Sequence, residues 1–178
     1  SSAQSTITQT LTNPSGSVED VIYSVTPISA DGCSGEPFDV TIHINPLPVG
    51  VDSSDTVCSK ESFSYDPQDN VNDATNGNSV ASTFAWEVTS ISGGTVTGVT
   101  LGDTGTGNVT STGVTNVSTT PAVIVYTVTP TSDPEDCEGL PFDITITVNP
   151  EPVGVDSTDT ICSNEPFNYD PQVNVNDA

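Results

Sequence analysis

Few residues in this chain are equipped for chemistry. Among 178 residues there are four Cys, one His, one Lys and no Arg, set against 24 Asp and Glu. A nucleophilic hydrolase needs a His or Lys base beside its nucleophile, and the only such groups are His43 and Lys60. His43 falls on the outward phase of an alternating stretch. At the corresponding place 104 residues on stands Thr147, and Lys60 is matched by Asn164. Bases that become Thr and Asn in a second copy of the same sequence are surface residues, so the chain is expected not to be an enzyme. Paired carboxylates can serve glycoside hydrolysis, but the acids here fall in turns and strand ends.

Cys58 and Cys162 occupy one position of a repeated pattern, and Cys33 and Cys137 occupy another. None has a His or second Cys at zinc-binding spacing. In an exported protein they are expected to form disulfides. A bond from Cys58 to Cys137 would close most of one repeat and stabilise it by roughly 4 kcal/mol in the chain-entropy model. Against it, an immunoglobulin topology places the first turn and the last hairpin loop at opposite ends, beyond the roughly 7 Å that a disulfide spans. A bond between neighbouring repeats is the alternative, and both remain open at this level.

Oxygen-rich segments offer a second chemistry. The run Asp66 to Asp73, and Asp52 with Asp55 near a linker, carry ligands of the kind Ca²⁺ takes; Asp52, Asp55, Asp66 and Asp73 are the candidate ligands, with a solvated acidic loop as the plainer reading. Val173 stands where Asp69 does in the first copy, so Asp69 is not an essential ligand. No other cofactor is expected. Asn108-Val109-Thr110 and Asn116-Val117-Ser118 fit the eukaryotic N-glycosylation pattern.

The net charge of −23 excludes a phosphate-binding surface, because affinity for nucleic acid comes mostly from Lys and Arg. Anionic membranes are equally poor partners, and no apolar run is long enough to span a bilayer. The opening Ser1-Ser2-Ala3-Gln4 lacks the features of a secretory signal.

The elements that hold these residues follow from an internal repeat. Residues 45–73 and 149–177 align without gaps at an offset of 104. They differ only at Leu47/Glu151, Ser54/Thr158, Val57/Ile161, Lys60/Asn164, Ser62/Pro166, Ser64/Asn168 and Asp69/Val173. Tyr23-Ser24-Val25-Thr26-Pro27 matches Tyr126-Thr127-Val128-Thr129-Pro130 at 103, and Pro37-Phe38-Asp39-Val40 matches Pro141-Phe142-Asp143-Ile144 at 104 again. Residues 1–48 therefore read as the back part of one repeat, 49–150 as a complete one, and 151–178 as the front of the next, cut from a longer array. Neither partial repeat is expected to fold alone. The boundary Asn-Pro-Xaa-Pro-Val-Gly, with two prolines, suits a semi-rigid linker.

Within the complete repeat, short alternating runs between turn residues predict an all-β sandwich. Phe142, Ile144, Ile146 and Val148 alternate with polar residues, as do Phe38, Val40, Ile42 and Ile44 in the earlier copy. Residues 122–129 are apolar on both faces at their start and predict a central strand. Phe84, Trp86 and Val88 give a third inward face, with Trp86 expected at the centre of the core. Residues 56–58 and 63–65 flank a polar turn, and 93–116 predict two weaker strands near an edge. No segment has a helical period.

Three features resemble the PKD-like repeats of very large surface proteins of Bacteroidota, including gliding adhesins of the SprB type. They are Cys58 before a polar turn and Phe63, the strand Phe84-Ala85-Trp86, and the closing hairpin from Tyr126 through Asn149 with Cys137 in its loop. The stretch Trp86-Glu87-Val88-Thr89-Ser90 departs from the Trp-Asp-Phe-Gly-Asp-Gly of polycystic-kidney-disease domains, which places the likeness with the looser PKD-like group. The resemblance implies tandem immunoglobulin-like sandwiches with a period of about 104 residues, an extracellular setting on a bacterial surface, and export by the type IX route. It also implies a structural or adhesive role in attachment and gliding, or that of a passive stalk or static filament. The partners it implies are neighbouring repeats and surface or glycan ligands. Asp55-Thr56-Val57 and Asp159-Thr160-Ile161 resemble the O-glycosylation site of that group, which makes Thr56 and Thr160 candidate acceptors.

Overall fold

A computed structural model describes residues 6–176. The opening Ser1-Ser2-Ala3-Gln4 and the last matched residue, Asp177, lie outside them. Thirteen strands and two short helical turns alternate along the described chain: β1 Glu19–Val25, β2 Phe38–Ile44, β3 Ser53–Cys58, β4 Phe63–Tyr65, α1 Gln68–Val71, β5 Ser82–Gly93, β6 Val96–Thr97, β7 Thr104–Thr106, β8 Val109–Ser111, β9 Thr115–Asn116, β10 Ala122–Ser132, β11 Phe142–Asn149, β12 Val153–Gly154, a 3₁₀ turn Pro171–Asn174, and β13 Val175–Asn176. The chain is all-β, as its Val, Ile and Thr content dictates. Among the described residues no helix is long and apolar enough to cross a membrane.

The chain forms two compact units. Among the described residues one comprises 6–51, 67–84 and 129–141; the other comprises 52–66, 85–128 and 142–176. The second is built on a five-stranded sheet in the order β3-β11-β10-β5-β7. β10 and β11 pair antiparallel from Ala122–Val148 to Val128–Phe142, and β3 runs parallel to β11 from Ser53–Ile144 to Cys58–Asn149. Strict alternation on β11 buries Phe142, Ile144, Ile146 and Val148. β10, flanked on both sides, buries Ala122, Ile124, Tyr126 and Val128 on the same face. Across the core, β4 pairs with β8, and Phe63 meets the Tyr126 ring edge-on at 6.3 Å. Val109 and Val114 close the core from this side.

Trp86 departs from expectation. It is only half-buried, while Phe84 and Val88 on either side are buried. Its ring stands edge-on to Tyr126 at 5.6 Å and lies over Gly105, where a Cβ would fall 2.2 Å from the indole. Trp86 is a lid on the sheet edge, and Gly105 on β7 leaves room for it. The region 93–116 holds four short strands rather than two. The run Asp66 to Asp73 contains a helical turn, started by Pro67, whose fixed φ suits that position; the 3₁₀ turn at Pro171 repeats it.

In the first unit, β1 and β2 form a hairpin from Glu19–Ile44 to Val25–Phe38, the same register as β10–β11 at offsets of 103 and 104. The loops match as well. Ser29 N donates to Cys33 O and Gly35 N to Pro27 O, as Ser132 N donates to Cys137 O and Gly139 N to Pro130 O, all at 2.8–2.9 Å. The one-residue difference in spacing falls between Ser29 and Cys33 and between Ser132 and Cys137.

Candidate inter-repeat junction

Two asparagines, one ahead of each hairpin, make an identical set of bonds. Asn116 is buried; its Nδ2 donates to Thr120 O at 2.8 Å and Val148 O at 2.9 Å, and its Oδ1 accepts from Ser118 N at 3.0 Å and Ser118 Oγ at 2.7 Å. Asn13, also buried, does the same with Ser17 O, Ile44 O, Ser15 N and Ser15 Oγ. This residue fastens the start of each hairpin to the end of its closing strand, just before the linker. Asn116 thus has a structural role that its place in an N-X-S pattern did not reveal.

The linker after β2 is held, not free. Pro46 and Pro48 are buried. Asn78 donates through Nδ2 to Leu47 O at 2.7 Å and Ser15 O at 3.3 Å, and its Oδ1 accepts from Val49 N at 2.9 Å. Asn70 Nδ2 donates to Val51 O at 2.5 Å, and Val51 N to Asn70 O at 3.3 Å. The loop before β11 closes the other side: a Cβ on Gly139 would fall 2.2 Å from Pro48 O, so only glycine lets that loop approach. Backbone groups of an extended, proline-bearing segment would otherwise face water; here side-chain amides from residues 70–78 take their place. The same clasp recurs after β12, where Asn174 Nδ2 donates to Val155 O at 2.9 Å and Val155 N to Asn174 O at 2.8 Å. Asn70, Asn78 and Gly139 were not singled out from sequence, although Asn70 and Asn174 share a repeat position.

The four cysteines are free thiols, with Cys33, Cys58 and Cys162 exposed and Cys137 half-exposed. Cys58 lies opposite Asn149, next to the ladder position that joins Val57, Val148 and Ala122 at the start of β10. Cys137 is bonded to Ser132 at the end of that same strand.

Of the carboxylates expected as Ca²⁺ ligands, Asp52, Asp55 and Asp73 are engaged separately by backbone amides. Asp52 Oδ1 accepts from Asp143 N at 2.8 Å, and Asp55 Oδ1 from Thr56 N at 2.7 Å. Asp73 Oδ1 accepts from Asn76 N at 2.9 Å and Thr75 N at 3.0 Å. Those amides, Asn76 first, hold the Asp73 carboxyl below the usual carboxylate range. Asp66 is also engaged. Among the described residues no group of three His, Cys, Asp or Glu side chains is placed to hold a metal. Thr56 and Thr160 are exposed, each with its amide bonded to the preceding Asp. Lys60 pairs with Glu151 at 2.5 Å, and His43 with Asp20 at 2.5 Å, both on the surface.

No curated protein and no solved structure matches the chain. The model of one family, described as PKD-like domain, matches residues 1–48 and 55–152, most of the sequence. Domains of this kind are typically extracellular repeats of adhesin type and are generally non-catalytic. On that match, supported by an all-β sheet built on a repeated hairpin, the chain belongs to the PKD-like domain family.

Proposed function

We propose that the chain is a structural segment of a bacterial surface adhesin or filament, one that carries attachment, and gliding with it, by holding successive sandwiches in register. The clasped linker supports this reading. Three bonds from Asn78, two from Asn70 and the close approach of Gly139 restrict a segment that prolines already stiffen. Neighbouring repeats are its partners, surface or glycan ligands are engaged by the whole adhesin, and export follows the type IX route. Thr56 and Thr160 are its O-glycan acceptors. A cysteine bridge joins the β3–β4 turn of one repeat to the β10–β11 loop of the following one.

The linker is tested with spin labels on Cys33 and Cys137, with Cys58 and Cys162 changed to Ser. A narrow distance distribution that broadens in Asn78→Ala supports a stiff junction; equal breadth in both proteins sinks it. Attachment and gliding are tested on cells with antibody-coated particles bound to the repeat. Particles that travel support the gliding adhesin, and particles that stay fixed support a static stalk.

A further inference from the structure

The edges of the five-stranded sheet are β3 on one side and β7 on the other. β7 has three residues, too few to template a further strand. β3 has six. An exposed edge strand of that length offers a row of backbone donors and acceptors to any other chain, and native proteins block such rows.

Which groups of β3 face outward follows from its pairing. β3 runs parallel to β11, and the next residue, Ser59, donates its amide to Asn149 O at 2.8 Å. Backbone groups alternate sides along a strand. Asp55 and Val57 therefore face β11, whereas Ser54, Thr56 and Cys58 turn their amides and carbonyls away from it. Two of those outward amides are taken by carboxylates close by in sequence. Asp55 Oδ1 accepts from Thr56 N at 2.7 Å, and Glu61 Oε2 accepts from Cys58 N at 3.2 Å. The same two bonds form in the next copy. Asp159 Oδ1 accepts from Thr160 N at 2.7 Å and Glu165 Oε2 from Cys162 N at 3.1 Å, although residues 159–165 lie in no strand. The caps are therefore local, made by the sequence and not by the sheet. Around them the turn changes, from Lys60 to Asn164 and from Ser62 to Pro166, while both acids stay. Asp55 and Glu61 are exposed, so core packing does not demand them.

We propose that Asp55 and Glu61 are guards on this edge: by occupying the outward amides of Thr56 and Cys58 they keep β3 of one molecule from pairing with β3 of another. With the amides released, two copies fit antiparallel about a two-fold axis. Thr56 then faces Thr56 and Ser54 faces Cys58, each pair exchanging both of its backbone bonds. With the amides capped, such a pair meets carbonyls with too few donors. It also brings like charges together in a chain already at −23. Chains that stand side by side on one surface thus remain separate. The guard acts between chains, whereas the clasped junction acts along one.

The first test reads amide hydrogen exchange in the parent chain, corrected for intrinsic rates. The amides of Thr56 and Cys58 are expected to exchange about tenfold more slowly than that of Ser54, as one hydrogen bond each would give. Equal rates at all three overturn the proposal. The second test measures mass by sedimentation in reducing buffer at about 300 mM NaCl, where charge is screened, up to about millimolar chain. The parent is expected to stay a monomer. The mass of Asp55→Ala/Glu61→Ala is expected to rise with concentration toward twice the parent's, with residues 54–58 gaining protection only as it associates. Asp55→Asn/Glu61→Gln keeps the accepting oxygens and removes the charges, and is expected to stay a monomer with the parent's protection. A parent that associates through residues 54–58 overturns the proposal, as does a folded Ala variant that stays a monomer. Association of the Asn/Gln variant equal to that of the Ala variant overturns it too, because charge alone would then be the barrier. Asp55→Ala by itself, which frees the amide at the centre of the pair, carries the same expectation if the double variant loses its fold.

Discussion

The side chains that matter most here are neutral amides. Asn116 satisfies two carbonyls, one amide and one hydroxyl, and truncation would leave the buried Val148 carbonyl and the Ser118 amide without it, while Thr120 O and Ser118 Oγ keep each other. Each unsatisfied buried group costs about 1–3 kcal/mol, so Asn116→Ala is expected to destabilise by about 3 kcal/mol in urea unfolding. Loss below about 1 kcal/mol would show that water replaces the amide. Tyr126 offers a pH test. Burial first, and then the charge of Asp103, push its phenol up to about 12 from 10. The folded state therefore keeps a proton that the unfolded chain releases. The stabilisation is fully present below pH 10 and is lost as pH rises toward 12. Tyr126→Phe is expected to abolish that alkaline slope; an unchanged slope would assign it elsewhere. The sequence made these residues only partly legible. Alternation pointed to Tyr126 as inward, but an Asn that bonds backbone carbonyls has no periodicity to betray it. Trp86 misled because size suggests a core centre, whereas Gly105, far away in sequence, makes room for it at an edge.

Elements were most legible where one face is buried. The seven-residue alternation of β11 and the two-sided apolar start of β10 specify their places before any coordinates are known. The parallel pairing of β3 with β11 carries no such signature, because β3 is exposed along most of its length. α1 was missed for a related reason: four residues are too few to show a period, although a proline after Asp66 was an available start signal. The two hairpins give an internal control on what burial contributes. Ile146 and Ile42 occupy the same position in the same register, one buried and one 41% exposed. Ile146→Ala is expected to cost about 3–4 kcal/mol through transfer and cavity terms, and Ile42→Ala under about 1 kcal/mol. Equal losses would mean that β2 is covered in the monomer.

For the whole molecule, charge sets the balance. One Lys stands against 24 carboxylates, and its partner Glu151 removes only one of them from the sum of repulsions. Surface pairs of this kind contribute little, whereas a large net charge works against the compact state at every separation within a Debye length. Screening therefore weakens one or two attractions and many repulsions. Raising NaCl from about 10 mM to about 300 mM, which shortens that length several-fold, is expected to raise the urea midpoint of the chain. The slope of free energy against urea should stay the same, because the surface exposed on unfolding does not change. A midpoint that falls with salt would mean that Lys60–Glu151 and His43–Asp20 outweigh the acidic field. Lys60→Asn separates the two cases: it copies the residue at position 164, where the same positive φ is kept, and removes the only Lys. If repulsion dominates, this variant is less stable at low salt and shows a steeper salt dependence than the parent. If the ion pair dominates, it loses the dependence.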